Sequence, residues 1–118
     1  MSVYKEKRKS KRVKTGLRVN CKSEGIFFSD FTRDIGLDGI GIQTATFIRE
    51  GTPVELFLQL PDEKEPLILK GRVVWAKVDN QENSSNIAMG IKFEDMAPHH
   101  RDKLNNFIER HTQTTLDN

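Results

Sequence analysis

Residues 54–60 read Val54-Glu55-Leu56-Phe57-Leu58-Gln59-Leu60, with an aliphatic side chain at every second position. This period of two is typical of a β-strand that buries one face, because successive side chains of an extended chain point to opposite sides. A polar turn is predicted at 61–66, and residues 67–78 resume as a long strand, so that the two strands form a hairpin. Gly71, inside the second strand, predicts a bulge or a bend.

Four more segments with strand character flank this hairpin. They cover residues 17–21, 26–33, 40–42 and 87–93. From residue 95 the period changes, and apolar side chains recur three and four residues apart, which predicts one amphipathic helix. The positions on its predicted inner face are Leu104, Phe107, Ile108 and His111. Six short strands without alternating helices predict a mainly β fold, a small six-stranded antiparallel β-barrel with a C-terminal α-helix.

Charge divides the chain more sharply than hydrophobicity does. Residues 1–15 contain seven Lys or Arg and one acidic residue, whereas the remainder holds 12 basic and 16 acidic residues. We therefore predict a flexible basic N-terminal arm (1–15), one barrel domain with its closing helix (16–111) and a frayed tail (112–118). A positive arm on an acidic body is typical of proteins with a phosphate-bearing partner, although a solubilising tail is an alternative.

Several classes of protein are disfavoured by the sequence. Cys21 is the single cysteine and no N-terminal segment resembles a signal peptide, which predicts a cytoplasmic protein without an intramolecular disulfide. No apolar run reaches the roughly 18 residues of a transmembrane segment. His99, His100 and His111 lack metal-ligand spacing, so no metal site is predicted and these side chains are expected at the surface or at a helix cap. No nucleophile elbow or P-loop is present, and no enzymatic activity is predicted.

Two short motifs carry the functional prediction. Arg8 and Arg12 form an RxxxR motif in the basic arm. Asp34, Gly36 and Gly39 form a DxGxxG motif in the predicted tight turn, 22 residues after the second arginine. Here the chain resembles the PilZ family, whose signature is RxxxR followed by (D/N)xSxxG. The sequence departs from that signature at Gly36, where the family usually has serine.

The resemblance extends through the body of the domain, from about residue 7 to residue 111. The segments Gly71–Trp75 and Met89–Phe93, together with the closing helix, are similar to the corresponding parts of the family. The resemblance implies a bacterial receptor that binds the second messenger cyclic di-GMP without a further cofactor. It also implies a downstream effector protein to which the receptor signals.

The residue types in the two motifs suit this ligand. The guanidinium groups of Arg8 and Arg12 can pair with phosphate oxygens or with the O6/N7 edge of guanine, and can stack on the base. The carboxylate of Asp34 can accept hydrogen bonds from the guanine N1–H and amino group, while the resemblance implies that Gly36 and Gly39 let the backbone approach. Because ligand binding would order the arm, the arm is predicted to act as a switch.

Other charged residues near the motifs receive secondary roles. The lysines of the arm are expected to steer the anion toward the site; they are Lys7, Lys9 and Lys11. Arg33 and Asp38 flank the turn, where they either touch the ligand or are simply solvated. Trp75 is interpreted as an anchor of the barrel core and not as a stacking platform.

The glycine at position 36 leaves alternative predictions open for what the domain binds. The loss of one neutral hydroxyl hydrogen bond corresponds to about 1 kcal/mol, or roughly fivefold in affinity, which predicts weakened binding and not its abolition. The alternative is a degenerate domain that binds a protein partner and no nucleotide. A third hypothesis, nonspecific binding of single-stranded nucleic acid, is disfavoured because the barrel segments are acidic on balance.

Overall fold

The computed structural model describes residues 11–78 and 87–116, with side chains up to residue 111. Its elements, in chain order, are seven strands and one helix. The strands are β1 (Arg12–Lys14), β2 (Arg18–Ser23), β3 (Ile26–Gly36), β4 (Gly39–Thr44), β5 (Pro53–Leu58), β6 (Leu67–Val78) and β7 (Ile87–Glu94), and the helix is α1 (Pro98–Leu116).

Six of the strands form a closed antiparallel barrel in the order β3-β2-β5-β6-β7-β4, and pairing between β3 and β4 closes it. The predicted barrel with its C-terminal helix is therefore confirmed. Closure leaves none of these six strands with an open edge along its whole length, which protects a small sheet from pairing with other chains.

The alternating strand at the centre of the sequence forms the barrel wall as predicted. Val54, Leu56 and Leu58 are at most 3% exposed and point into the barrel, where they meet the inward side chains of the other strands. Burial of each such side chain contributes about 1.5–3 kcal/mol relative to its exposure to water. The core is thus assembled from one face of every barrel strand.

The helix closes the barrel with three of its four predicted positions. Leu104, Phe107 and Ile108 are buried in the same core cluster. His111 is exposed instead, with its ring centroid 4.0 Å from that of Phe107 and its Nδ1 3.0 Å from the Phe107 carbonyl oxygen. The helix continues to Leu116, five residues beyond the predicted end. In the described part of the chain, no helix is long and apolar enough to cross a membrane.

Gly71 lies in a regular part of the sheet, so the prediction of a bulge at this residue is wrong. It pairs in register with Val54 on one side and Phe93 on the other, and the shift in register falls later, between Val73 and Trp75. A Cβ atom at residue 71 would lie 2.5 Å from Cγ2 of Ile91. The glycine therefore permits a close approach between β6 and β7.

The end of the predicted arm belongs to the sheet. Residues 12–14 form β1, which pairs antiparallel with β3 and places Arg12 opposite Gly36. β1 continues the line of β2 along the same edge of β3, and Val13 is buried in the core. This part of the segment predicted to be flexible is thus a strand. Residues 1–10, with Lys7, Arg8 and Lys9, lie outside the described residues.

Candidate functional site

A groove of about 520 Å³ opens at the barrel surface where β1, β3, β4, β6 and β7 meet. Side chains of both predicted motifs line it. Its polar and aromatic lining consists of Arg12, Asp34, Asp38, Trp75 and Lys92. The groove thus combines two cations, two carboxylates and one indole ring in a single open site.

Arg12 and Asp34 form the centre of the groove. The Arg12 Nη2 atom donates a hydrogen bond to Asp34 Oδ1 at 2.5 Å, although 22 residues separate the two in the chain. Antiparallel pairing of β1 with β3 brings them together. Their side chains are 44% and 36% exposed. An ion pair this exposed to solvent stabilises a protein by at most about 1 kcal/mol, so a ligand can open it at little cost.

Gly36 lies directly beneath the Arg12 side chain. A Cβ atom at this position would stand 3.0 Å from Arg12 Cγ and 2.9 Å from the Lys11 carbonyl oxygen. Both distances are shorter than ordinary van der Waals contact, so a serine here requires the end of β1 to shift. The glycine in place of the usual serine therefore fits the docked position of Arg12.

Two other glycines shape the groove wall. A Cβ atom at Gly41 would lie 3.1 Å from Asp34 Oδ1, so this glycine leaves room for the carboxylate. A Cβ atom at Gly39 would lie 2.4 Å from the Ile91 carbonyl oxygen, which makes this glycine necessary for the approach of β4 to β7. Gly39 thus lines the groove and also serves the packing of the sheet.

Trp75 was interpreted from the sequence as a core anchor, and that interpretation is wrong. The residue is 41% exposed and forms part of the groove wall. Its indole lies against Gly90, since a Cβ atom there would be 2.2 Å from Trp75 Nε1. The register shift between Val73 and Trp75 leaves both Val74 and Trp75 on the outside of the barrel. Sequence alternation cannot reveal such a shift.

Lys92 is a second lining residue that the sequence analysis missed. It is exposed on β7, opposite Gly39 on β4. The signal for it was present in the sequence, because Lys92 is the outward residue of an alternating strand. The pairing partner of that strand, however, could not be read from the sequence.

Of the residues with predicted secondary roles, some line the groove and others do not. Asp38 lines the groove, and its carbonyl oxygen accepts a hydrogen bond from the Phe93 N–H at 2.9 Å. Arg33 is exposed at the register shift in β3 and is not among the lining residues. Lys11 extends toward the helix instead, with its Nζ 3.9 Å from Glu109 Oε2.

The remaining chemically active side chains lie elsewhere. Cys21 is buried as predicted, and burial, followed by the nearby charge of Asp30, raises the pKa of its thiol to about 12. His99 is exposed and His100 is half-buried in the first turn of α1, where burial and then the neighbouring charges lower the pKa of His100. The described residues contain no group of three or more potential metal ligands.

Comparison with known proteins agrees with this architecture. The family model for the PilZ domain matches residues 6–110. No curated protein matches the chain by sequence. Among solved structures, the inhibitor of motility MotI/DgrA of Bacillus subtilis has a TM-score of 0.76 and 18% identity, over 91% of this chain and 51% of that one.

Two further structures were solved with a ligand. The PilZ domain of YcgR from Escherichia coli, solved with c-di-GMP, has a TM-score of 0.74 and 13% identity, covering 93% of this chain and 95% of that one. The MrkH–c-di-GMP complex of K. pneumonia has a TM-score of 0.73 and 13% identity, over 93% of this chain and 54% of that one. The chain thus spans about half the length of MotI and of MrkH.

These TM-scores show a common fold, and the family model covers nearly the whole chain. The predicted motifs, the closed barrel and most of the closing helix fall within the matched residues. The chain belongs to the PilZ domain family.

Proposed function

We propose that this chain is a receptor module for cyclic di-GMP that signals to another protein through its N-terminal arm. The observation that carries the proposal is the meeting of Arg12 with Asp34, one residue from each motif, in one open groove. A bound dinucleotide offers guanine edges to a carboxylate and phosphates to guanidinium groups. In this proposal it replaces the internal ion pair with two interactions of its own.

The groove chemistry fits each part of such a ligand. Asp34 accepts hydrogen bonds from the guanine N1–H and amino group, and Arg12 pairs with a phosphate or with the O6/N7 edge. Trp75 is exposed and lines the groove, where its ring is available for a guanine to stack on. Lys92 adds a cation at the β7 side of the groove.

The arm supplies the signalling step. Arg8 lies four residues before Arg12 and completes the RxxxR motif. When the ligand engages both arginines, the arm closes over it, and the newly ordered surface is what an effector protein reads. We further propose that the chain works as a binding module in the cytoplasm and not as a catalyst.

Calorimetric titration of the full chain with cyclic di-GMP tests this function. We expect saturable heat in the micromolar range for the wild type and at least a tenfold loss of affinity for Arg12→Ala. Arg101→Ala is the matched control, because Arg101 is an exposed arginine on α1 away from the groove. Absence of heat at tens of micromolar ligand would defeat the receptor proposal.

A second candidate rests on Gly36. Because the family's serine is missing there, the chain could instead be an adaptor that binds a protein and no nucleotide. This alternative predicts no heat for the wild type, but measurable binding for Gly36→Ser. A fluorescent single-stranded oligonucleotide added to the same series tests nucleic-acid binding, which the receptor proposal expects to be absent at physiological salt.

A further inference from the structure

A second outward face of the barrel carries large apolar side chains. On β3, Phe27 is 70% exposed and Phe31 is 52% exposed; on β6, Ile68 is 47% exposed. Phe57 of β5 is half-buried and lies directly opposite Ile68. We call these four residues the phenylalanine wall. Single exposed apolar residues are common on proteins, but several on one face mark an interaction surface.

The strand registers place the wall on one side of the sheet. Asn20 of β2 lies opposite Ser29 of β3 and also opposite Phe57 of β5. Residues directly opposite each other in an antiparallel pair project to the same face, and residues two apart on one strand do so as well. Phe27 and Phe31 flank Ser29 at a spacing of two and therefore share the face with Phe57.

Two cations lie on the rings of this wall. The Arg18 guanidinium carbon is 5.2 Å from the centroid of Phe31, and Lys22 Nζ is 5.4 Å from the centroid of Phe27. Within the described residues, neither cation pairs with a carboxylate. A cation on an aromatic face interacts more strongly when water is removed, so covering this wall would strengthen both contacts.

The charges around the wall select the kind of partner. Lys22 lies opposite Glu55 across the β2–β5 pair, and Glu55 lies opposite Lys70 of β6, which in turn lies opposite Glu94. A row of alternating charges repels part of any uniformly anionic surface such as a lipid bilayer or a nucleic acid. A protein segment can place individual carboxylates over the cations and apolar side chains over the rings.

We propose that the phenylalanine wall docks a protein partner through a segment in which acidic residues alternate with apolar ones. This surface would be the place where the chain contacts its effector protein, and in that respect the inference rests on the proposed function. Phe31 and Asp34 lie on the same strand, separated by a register shift after Thr32. Thr32 Oγ1 accepts a hydrogen bond from the Leu17 N–H at 2.9 Å and lies 2.5 Å from Thr15 Oγ1. The base of the arm therefore contacts the strand that carries the wall.

Selection from a random peptide library displayed on phage tests the docking surface. The full chain is the bait, and the double variant Phe27→Ala/Phe31→Ala removes peptides that bind elsewhere. We expect the enriched peptides to carry Asp or Glu beside aliphatic or aromatic residues. A synthetic copy of one of them should lose at least about tenfold in affinity for the double variant and for Arg18→Ala/Lys22→Ala. Phe47→Ala is the matched control, because Phe47 is 57% exposed and is not part of the wall.

The outcomes separate this proposal from the nucleotide proposal. Each variant is also titrated with cyclic di-GMP, and unchanged nucleotide binding shows that the variant is folded with its groove intact. Enrichment of no peptide that distinguishes wild type from the double variant would overturn the docking surface. So would binding of anionic phospholipid vesicles or of an oligonucleotide that depends on Phe27. Peptide binding by a chain that does not bind cyclic di-GMP would support the docking surface and contradict only the receptor function.

Discussion

The groove and the phenylalanine wall are two outward faces of one barrel, and they hold their charges differently. In the groove, Arg12 is paired with Asp34. On the wall, Arg18 and Lys22 lie on aromatic rings without a paired carboxylate in the described chain. The groove therefore suits a ligand that exchanges one set of polar contacts for another. The wall instead suits a partner that excludes water from a preformed apolar surface.

The largest expected effect separates the two faces completely. Arg12→Ala should reduce cyclic di-GMP affinity by about ten- to a hundredfold, because a charge-assisted hydrogen bond corresponds to roughly 1.5–3 kcal/mol. Phe27→Ala should leave that affinity unchanged. Calorimetry on the two variants provides the measurement. Equal losses in both would show that the two faces do not act independently.

Trp75→Ala tests whether an aromatic ring contributes to binding in the groove, as the phenylalanine rings are proposed to do on the wall. We expect about a tenfold loss of nucleotide affinity, since stacking of a base on an aromatic side chain corresponds to roughly 1–3 kcal/mol. The variant should stay folded because the indole is 41% exposed. Trp75→Phe is the conservative control and should retain most of the binding. An unchanged nucleotide affinity in the alanine variant would show that Trp75 does not contribute to binding.

Gly36→Ser sharpens the account of the groove by restoring the usual serine of the family. The added hydroxyl can donate one neutral hydrogen bond, which predicts about a fivefold higher nucleotide affinity in Gly36→Ser than in Gly36→Ala. Crowding against the Lys11 carbonyl should at the same time loosen β1 from the barrel. Gly36→Ala adds the Cβ atom without the hydroxyl and isolates the steric effect. A weaker affinity in the serine variant than in the alanine variant would contradict this reasoning.

The smallest expected effect concerns a carboxyl group on the strand that carries both faces. Burial raises the pKa of Asp30, partly offset by a hydrogen bond with Thr44, and its Oδ2 atom is buried without a hydrogen-bond partner among the described residues. A raised pKa in the folded state means that folding favours the protonated carboxyl. Stability should therefore fall as the pH rises from the unfolded value near 3.8 through the folded value. Asp30→Asn should raise the melting temperature by a few degrees at pH 7 and change it little at pH 3.

Most of the fold could be predicted from the sequence because burial of one face imposes a period of two on the strands. That period is visible in the sequence at Val54, Leu56 and Leu58, which are buried in the barrel. The period of the helix is visible at Leu104, Phe107 and Ile108, which are also buried. β1 could not be predicted, since three residues within a basic segment carry no period of their own. Its position depends on the edge of β3 that β2 leaves open.

The site was predicted only as far as its motifs reach. Arg12, Asp34 and Asp38 do line one groove, whereas Arg33 and Lys11 lie elsewhere. Trp75 and Lys92 were missed because the first depends on a register shift and the second on which strand becomes the neighbour of β4. The role of Arg8 stays a prediction, because that residue lies outside the described part of the chain. The sequence analysis assigned both phenylalanines of the wall on β3 to a strand. Their outward orientation could not be predicted, because it depends on the pairing register of β3 with β2.

We propose that Arg12 and Asp34 bind the same dinucleotide in the groove that Trp75 also lines. Because Trp75 is the only tryptophan of the chain, its intrinsic fluorescence reports on the groove alone. Titration with cyclic di-GMP should change this fluorescence saturably in the wild type, and the midpoint should move to at least about tenfold higher ligand concentration in Arg12→Ala and in Asp34→Ala. A wild-type signal that does not respond to the ligand, or a midpoint that is unchanged in both variants, would contradict the account.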